Sequence, residues 1–480
     1  MTAGAPLTAV APAEPTGDSL KLAAEHEAAG RLDEADACLD RLLTANPGDA
    51  EATHFKGVVA IRKGLTAEGA ALMERSLTLG PAKPYYLRNL CEVYRTLGRY
   101  DEALEAGRRA AAGDPADPIC QANLSVLHYE RGESAEAVIC AERALAINNN
   151  LPGAHFGLAE ALLLRGELAR GWEEYEWRFR MPGVPSLMPK KDIPQWDGKP
   201  LKDGRLMLIA DQGFGDGIQF CRYIPWAAER CGELVVACSQ ELQPLIGQLP
   251  GIASMFDRWE AAPAAAAFLP LSGLPRLHGT RLNTVPADIP YLRADPGKAA
   301  AWKARLDMLA APGHRRVGLV WAGRPTHKND RNRSVALAGL GALTDLAGVT
   351  FVSLQKGPPQ AQVSGYFGRA PLINLGPEID DFADSMAIIE GLDLVVTVDT
   401  AIGHLAGAMG RPVFIMLPFT SDWRWLEGRP DTPWYPTARL FRPPAPRDWD
   451  AVSAEVAAAL AEAFDKGRGE ADDGMAERNA

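Results

Sequence analysis

The sequence predicts an α-helical solenoid followed by an α/β region made of two successive Rossmann-like halves. Three observations lead to this prediction. Glycine recurs every 34 residues through the first third of the chain, and two series of strand, turn and helix patterns begin near residues 205 and 316. The 480 residues also exceed the length of one ordinary domain.

The predicted divisions follow changes in composition and in periodicity. The expected segments are a disordered leader over 1–18, the solenoid over 19–182, a linker over 183–200, a first α/β half over 201–312, a second half with a closing helix over 313–465, and a disordered tail over 466–480.

Composition narrows the class of protein. Apolar residues make up 47% of the chain and charged residues 23%, as in folded domains. The net charge of −11 repels nucleic acid and anionic membranes, so neither is an expected partner. The seven cysteines include no Cys-x-x-Cys pair, which favours reduced thiols over disulfides or zinc. Because the leader lacks Lys and Arg and the apolar runs are too short to span a bilayer, we expect a cytoplasmic protein without membrane insertion.

Three residue series share one register in the first third of the chain. They consist of glycines at Gly30, Gly64, Gly98, Gly132 and Gly166, prolines at Pro47, Pro81 and Pro115 with Asn149 where a fourth would fall, and small residues at Ala35, Gly69, Ala103 and Ala137. A period of 34 residues is that of the tetratricopeptide repeat. The sequence therefore predicts four full repeats over about 16–151 and a partial fifth that ends in the aromatic segment 172–179.

Stacked repeats form a concave groove that usually binds a peptide. Asn89 and Asn123 occupy the same first-helix position one repeat apart. Because a side-chain amide both donates and accepts, such a row can hold an extended peptide backbone. The alternative is that both side chains form hydrogen bonds within the solenoid.

The first α/β half opens with a buried-type strand, Arg205–Ala210. A glycine turn follows over 211–217, containing Gly213 and Gly215, and then a helical pattern over 218–230. Asp216 adds a carboxylate at the carboxyl end of the strand, where α/β sheets place their chemistry. The segment 268–275 is interpreted as a loop on the acceptor side of this half.

In the second half, a strand over 316–323 precedes a loop that carries Lys328, Arg331 and Arg333. The loop is either a solvated charged segment or a phosphate clamp. The strand over 350–355 ends at Gln355.

A third buried strand of this half ends at Val398. Asp399 and Thr400 are expected to cap a short helix that contains Gly403 and His404. The N-terminus of a helix that faces a cleft is an anion site, which favours a functional role for His404 over a structural one. A last helix is predicted over 450–464.

From Arg205 to about Phe441 the sequence resembles the heptosyltransferase-like glycosyltransferases of family 9. The motifs that carry the resemblance lie at 212–216, 318–323, 329–334 and 398–408, and the aromatic motifs at 422–425 and 433–436 are similar to those of a subgroup preceded by tetratricopeptide repeats. The resemblance implies a GT-B arrangement of the two halves, with the acceptor on the first and the donor on the second. Some bacterial members of that subgroup resemble flagellin glycosyltransferases that transfer nonulosonic acids such as pseudaminic acid.

The resemblance also implies roles for individual residues. Asp216 corresponds to the proposed catalytic base, and the helix start at 399–404 corresponds to the donor site. The predicted donor-binding residues are Gly213, Gly215, Lys328, Arg331, Arg333, Gln355, Asp399, Thr400, Gly403 and His404. The aromatic residues at 423, 425, 434 and 435 are interpreted as packing residues.

The leading hypothesis is a glycosyltransferase that moves a sugar from a nucleotide-sugar to a protein hydroxyl presented by the repeats. Flagellin is the single acceptor that this hypothesis favours. No Asp-x-Asp triplet follows a strand, so we expect chemistry without a metal and without a cofactor beyond the nucleotide-sugar substrate. Two alternatives stay open: a glycan or lipopolysaccharide glycosyltransferase whose repeats recruit partners, and a non-catalytic scaffold.

Overall fold

The computed structural model describes residues 18–181, 193–327 and 329–476. By its contacts the chain divides into two compact units. The described part of the first unit comprises residues 18–162 and 173–181, and that of the second comprises Leu163–Trp172 together with the described residues from 193 onward. An α-helical solenoid thus precedes an α/β region, as predicted.

Within the described residues the solenoid contains helix pairs in a regular series. They are α1 (Asp18–Ala28) with α2 (Leu32–Ala45), α3 (Ala50–Arg62) with α4 (Thr66–Leu79), α5 (Pro84–Leu97) with α6 (Tyr100–Gly113), α7 (Pro118–Glu130) with α8 (Ser134–Ile147), and α9 (Pro152–Leu164) with α10 (Leu168–Tyr175). The glycines of the 34-residue series all have φ between +75° and +85°. Glycine adopts this left-handed conformation without the steric cost that other residues meet, so it ends the first helix of each pair.

The small residues lie where paired helices cross. Ala35, Ala103 and Ala137 are fully buried. At Gly69 a Cβ atom would lie 2.7 Å from the Gly57 carbonyl oxygen, so α3 and α4 approach closely only because both residues are glycine. The predicted repeat register is confirmed.

The α/β region contains two parallel sheets within its described residues. The first sheet has the order β3-β2-β1-β4 and the second has the order β10-β9-β8-β5-β6-β7. The strands are β1 (Leu201–Ile209), β2 (Cys231–Ala237), β3 (Ile252–Phe256), β4 (Ala267–Pro270), β5 (Arg315–Val320), β6 (Val349–Ser353), β7 (Leu372–Asn374), β8 (Leu394–Val398), β9 (Val413–Met416) and β10 (Ala438–Phe441).

Helices connect these strands, and a further helix follows the last strand. They are α11 (Phe214–Phe220), α12 (Ile224–Ala228), α13 (Gln243–Ile246), α14 (Leu274–His278), α15 (Pro296–Leu309), α16 (Asp330–Arg333), α17 (Gly341–Thr344), α18 (Phe382–Glu390), α19 (Ala401–Ala408) and α20 (Trp449–Ala476). Parallel strands place their carboxyl ends at one edge of each sheet, so the turns before α11 and α19 both follow such an edge.

Several predicted boundaries differ from the structure. The helix after β1 begins at Phe214 instead of 218, because the Asp216 side chain accepts the Gly213 N–H and so stabilises the first turn. The segment 268–275 is not a loop. Its first residues form the buried edge strand β4, and a buried turn and the start of α14 follow.

The chain ends also differ from the prediction. The backbone of α20 continues to Ala476, which is beyond the predicted start of the tail at 466. The predicted leader lies outside the described residues except for Asp18, which begins α1. Of the predicted linker, residues 183–192 lie outside them, while Trp196 is buried and donates its backbone N–H to the Phe268 carbonyl at 2.8 Å.

The division between the units falls inside the predicted solenoid. Residues Leu163–Trp172, which the repeat pattern assigns to the solenoid, belong to the α/β unit. The Trp172 ring packs at 88° against Trp423 with 5.2 Å between ring centroids. The Glu427 N–H donates to the Leu164 carbonyl at 3.1 Å. Burial of a large aromatic ring and this hydrogen bond explain the assignment.

Candidate functional site

Three segments of the α/β unit meet at the candidate site. They are the first turn of α11, the first turn of α19, and the segment 421–425, which precedes β10 in the chain. Asp216 lies in the first turn of α11, where its Oδ2 accepts the Gly213 N–H at 2.9 Å. Its Oδ1 forms an ion pair with Arg424 of the third segment.

Arg424 links two carboxylates. Its second N–H group donates to Asp422 Oδ1 at 2.7 Å, and the side chains of Arg424 and Asp422 are 7% and 6% exposed. Burial of the Asp216 carboxyl is the largest single influence and opposes its ionisation, but the Arg424 charge, together with smaller contributions such as the Gly213 hydrogen bond, lowers the pKa of Asp216 below its usual value. Asp216 is therefore held as a carboxylate beside a fixed guanidinium.

The glycine at 215 brings α11 against α19. A Cβ atom at this position would lie 2.8 Å from Cδ2 and 3.3 Å from Nε2 of His404. A larger residue would push the imidazole away. Gly215 therefore contacts the site through its neighbour His404, and its role is to permit this close approach.

His404 of α19, on the other side of this contact, is buried. Its Nδ1 lies 2.9 Å from the Tyr435 hydroxyl, and its ring stacks on Trp425 with 5.0 Å between centroids. Burial and the nearby Arg424 charge lower the pKa of His404 to about 3. The imidazole is therefore neutral near pH 7, when it presents one N–H donor and one acceptor.

The N-terminus of α19 is available to an anion. Thr400 occupies the cap position, but its side chain does not cap the helix, and its hydroxyl lies 2.9 Å from that of Thr397. The prediction that side chains cap this helix is therefore wrong. The first N–H groups of a helix have no acceptor within it, so a phosphate can occupy the place that a capping oxygen would fill.

Asp399 and Arg333 border this helix start. The Arg333 guanidinium donates to the Asp399 carbonyl oxygen at 3.1 Å. Burial and the nearby Asp422 charge raise the pKa of Asp399 to about 6. Arg333 is thus bonded to the start of α19, and Asp399 lies close enough to the segment that holds Arg424 to feel the Asp422 charge.

Some predicted residues do not present groups to a ligand. The Gln355 side chain is buried. Its Oε1 accepts the N–H groups of Trp321 and Ala322, and its Nε2 donates to the carbonyls of Ala322 and Lys356, so it ties the ends of β5 and β6 together. The Gly213 N–H is used by Asp216.

Gly403 is also used structurally. Its N–H donates to the Thr400 carbonyl at 3.0 Å, and a Cβ there would lie 3.3 Å from Thr397. Its small size therefore lets α19 lie against β8. Arg331 is exposed on α16, whereas Lys328 lies outside the described residues.

The predicted asparagine row in the solenoid is corrected. Asn89 is 2% exposed, and its Nδ2 lies 3.0 Å from His54 Nε2. Asn123 is 3% exposed, and its Nδ2 donates to the Arg88 carbonyl at 3.5 Å. Both amides form hydrogen bonds within the solenoid, so the alternative interpretation describes them.

The sequence patterns do not single out several residues of the site. Arg424 and Asp422 stand in the sequence only as part of an aromatic motif, and Tyr435 only as a packing residue. His327 is a further such residue, and its pKa is lowered to about 4 by burial and by the Arg333 charge. The available signal is the density of Arg, Asp and Trp over 422–425, which is unusual for a core segment.

No group of three or more His, Cys, Asp or Glu side chains that could hold a metal ion occurs among the residues that the structure describes. Metal-independent chemistry stays a prediction. In the same ranges, no helix combines the length and the apolar character that crossing a membrane requires.

The fold and the site define a class: a helical-repeat protein with an α/β unit in which a carboxylate, a guanidinium and a neutral imidazole lie beside an uncapped helix N-terminus. Two family descriptions match the chain. Residues 20–84 and 69–118 match "Tetratricopeptide repeat", and residues 368–425 match "Glycosyltransferase family 9 (heptosyltransferase)". The second match includes α19, Asp422 and Arg424, and Asp216 lies before it.

The chain is also similar to individual proteins. Protein FlbA of Caulobacter vibrioides is 29% identical over 464 residues, which are 90% of this chain and 70% of FlbA. The tetratricopeptide-repeat-containing thioredoxin TTL4 of Arabidopsis thaliana is 31% identical over 108 residues, which are 22% of this chain and 15% of that protein.

Among solved structures, TTC0263, a tetratricopeptide-repeat protein of Thermus thermophilus, is 23% identical with a TM-score of 0.31, and the match covers 34% of this chain and 90% of that one. MamA is 16% identical with a TM-score of 0.30, and the match covers 33% of this chain and 94% of that one.

By the two family matches, the chain combines tetratricopeptide repeats with a C-terminal glycosyltransferase family 9 segment, which supports glycosyl transfer as its activity.

Proposed function

We propose that the protein transfers a sugar from a nucleotide-sugar to a Ser or Thr hydroxyl of a protein acceptor. The observation that carries this proposal is the junction at Gly215, where the turn that bears Asp216 lies against His404 of the uncapped helix α19. A base and an anion site are the two groups that sugar transfer needs on opposite sides of the reacting carbon. The two parallel sheets support a GT-B arrangement, with the acceptor on the first and the donor on the second.

In the proposed reaction the acceptor oxygen forms a bond to the anomeric carbon while the bond from that carbon to the phosphate oxygen breaks. The acceptor proton passes to Asp216. Each carboxylate oxygen has a second lone pair beside the one that Gly213 or Arg424 occupies, so a hydroxyl can still donate to it. The α19 amides, with Arg333 close by, stabilise the leaving phosphate. The chemistry requires neither a metal nor a further cofactor.

The acceptor side of the proposal rests on the repeats, since tetratricopeptide solenoids commonly bind peptides. Flagellin modified in the cytoplasm with a nonulosonic acid such as pseudaminic acid is the most specific case that the resemblance of the sequence suggests.

Asp216→Asn separates binding from chemistry. We expect transfer to fall ~10²-fold or more, because the amide cannot accept the acceptor proton as a carboxylate does. The melting-temperature shift caused by a bound donor nucleotide should persist. Binding is measured as the melting-temperature shift of the wild-type and variant proteins with CMP, UDP, GDP or ADP. Transfer is measured as the free nucleotide released from the corresponding nucleotide-sugars when an acceptor is present.

Asp211→Asn is the matched control, because Asp211 lies in the same turn but accepts hydrogen bonds from Ser272, in the turn that follows β4. Near-wild-type transfer by Asp216→Asn would exclude the base role. If no nucleotide shifts the melting temperature of the wild-type protein, a scaffold becomes the better interpretation. Intact-mass measurement of flagellin from a strain in which this protein is deleted tests the acceptor: a mass equal to that from wild-type cells would exclude flagellin.

A further inference from the structure

A buried tyrosine lies behind His404 on the side away from Asp216. Tyr435 is fully buried, and its hydroxyl lies 2.9 Å from His404 Nδ1. The ring fits against α19 because residue 407 is glycine: a Cβ there would lie 2.5 Å from the Tyr435 ring. The contact between Tyr435 and His404 is therefore built into the helix.

Arg222 determines what lies around the Tyr435 hydroxyl. Its guanidinium carbon lies 4.8 Å from the ring centroids of Tyr435 and Tyr291. Its N–H groups donate to the Gln219 and Trp434 carbonyls, both at 2.9 Å. An arginine only donates hydrogen bonds, so it offers no acceptor to the phenol hydrogen of Tyr435.

The neighbouring tyrosine is already engaged. The Tyr291 hydroxyl donates to the Ile218 carbonyl at 2.9 Å and accepts from Arg222 at 3.0 Å. The Tyr291 hydroxyl also interacts with that of Tyr435. An imidazole nitrogen is a stronger acceptor than a phenol oxygen, so His404 Nδ1 is the better acceptor for the hydrogen of Tyr435. A neutral imidazole that accepts at Nδ1 carries its hydrogen on Nε2.

The opposite edge of the imidazole lies at the candidate site. His404 Nε2 lies beside Gly215, and the paired charges of Arg424 and Asp216 act on the ring with opposite signs. The contact at Nδ1 is therefore the feature that sets the tautomer. A hydrogen on Nε2 would lie on the Gly215 side of the ring, where α11 begins.

We propose that Tyr435, held by Arg222, is a positioning residue that keeps His404 in the Nε2-protonated tautomer and so presents an N–H donor to the leaving group. This inference rests on the proposed function for the identity of the leaving group, but the tautomer itself does not depend on it. Loss of the Tyr435 hydroxyl would allow His404 Nδ1 to carry the hydrogen, and Nε2 would then present a lone pair to the site.

Nitrogen-15 NMR of protein labelled at histidine tests the tautomer without any substrate. The chain has eight histidines, and His404→Gln identifies the signals of His404 by their loss. We expect an unprotonated Nδ1 and a protonated Nε2 in the wild-type protein, and a shift toward the other tautomer in Tyr435→Phe. A protonated Nδ1 in the wild-type protein would overturn the proposal, and this measurement needs no variant of Tyr435 to fold.

Kinetics give the second readout. Tyr435→Phe should lower kcat roughly 10-fold, as expected for loss of one hydrogen bond in the transition state, with KM for the donor nearly unchanged. The same change in a His404→Gln background should have no further effect, because the two residues act as one unit. An equal loss of kcat in the wild-type and His404→Gln backgrounds would show that Tyr435 has a merely structural role.

Tyr366→Phe is the matched control. The Tyr366 hydroxyl also donates a hydrogen bond, in this case to the Ala370 carbonyl at 2.7 Å, but it packs near β7. Its replacement should leave kcat and the His404 signals unchanged. If no transfer is measurable, the NMR result still decides the tautomer, so failure of the proposed function is distinguishable from failure of this inference.

Discussion

At the scale of single residues, the site depends on a charge that a strand-and-turn pattern does not reveal. Burial of the Asp216 carboxyl raises its pKa, and the Arg424 charge is the largest of the contributions that together reverse the sign. A carboxylate with a lowered pKa stays ionised to more acidic pH, and its contribution to stability or turnover is lost only as pH falls through that lowered value. Catalysis by Asp216 should therefore persist below the ordinary pKa of an aspartate.

Arg424→Gln tests this coupling. Removal of the cation leaves burial as the main influence, so the pKa of Asp216 should rise and the acid limb of kcat/KM should move to higher pH. The pH profile of donor-dependent turnover measures the shift. The other side chains that act on Asp216 and Arg424, namely His404 and Asp422, are retained.

Arg316→Gln serves as the reference variant. Arg316 pairs with Asp307 at the amino end of β5, remote from the carboxyl edge where the site lies. Its loss should leave the acid limb in place. An acid limb that does not move in Arg424→Gln would show that Asp216 is not the group that titrates.

At the scale of the elements, close helix contacts decide where glycine is required. In α3 a Cβ atom at Gly57 would lie 2.8 Å from the Gly69 carbonyl oxygen of α4 and 2.8 Å from Met73. The backbone oxygen cannot move without separating the helices. Gly157 in α9 differs, since its Cβ would meet only the Ser125 hydroxyl at 3.7 Å.

Gly57→Ala should therefore destabilise the solenoid by about 1–3 kcal/mol, the usual cost of overpacking. Gly157→Ala should be neutral or stabilising by up to about 1 kcal/mol, because alanine favours helix and the site has room. Thermal or urea unfolding followed by circular dichroism measures both. Equal stability changes in the two variants would contradict the close-contact explanation.

At the scale of the whole molecule, the two compact units have separate cores. One core includes Leu39, Phe55 and Leu90 of the solenoid. Another includes Phe351, Val396 and Val456, where α20 packs on the second sheet. Cores that do not share residues can unfold separately.

Differential scanning calorimetry should accordingly show two transitions. Gly57→Ala should lower the transition of the solenoid, and Trp172→Ala should lower that of the α/β unit, although the repeat pattern includes Trp172. A Trp172→Ala effect confined to the transition that Gly57→Ala moves would contradict the assignment of residues 163–172. Trp172→Phe, which keeps a ring at this position, should restore most of the loss.

The sequence by itself determined the features that depend on local geometry. A left-handed residue at each repeat turn requires glycine, so the 34-residue series specifies the helix pairs before any contact is known. Buried parallel strands appear as continuous apolar runs, and the turns after β1 and β8 follow from glycine and polar residues at their ends. Asp216 and His404 could be selected in this way.

Only the tertiary structure decided which side chains face one another. Asp216 and Arg424 are 208 residues apart, and no local pattern records that their charges meet. Gln355, Asn89 and Asn123 carry the right chemistry for a ligand, but neighbours distant in sequence use their hydrogen-bonding groups. Trp172 fits the repeat, yet the burial of its ring places it with the α/β unit. Hydrogen bonding, charge pairing and burial act between residues that are close in space, so the composition of a site depends on the folded chain.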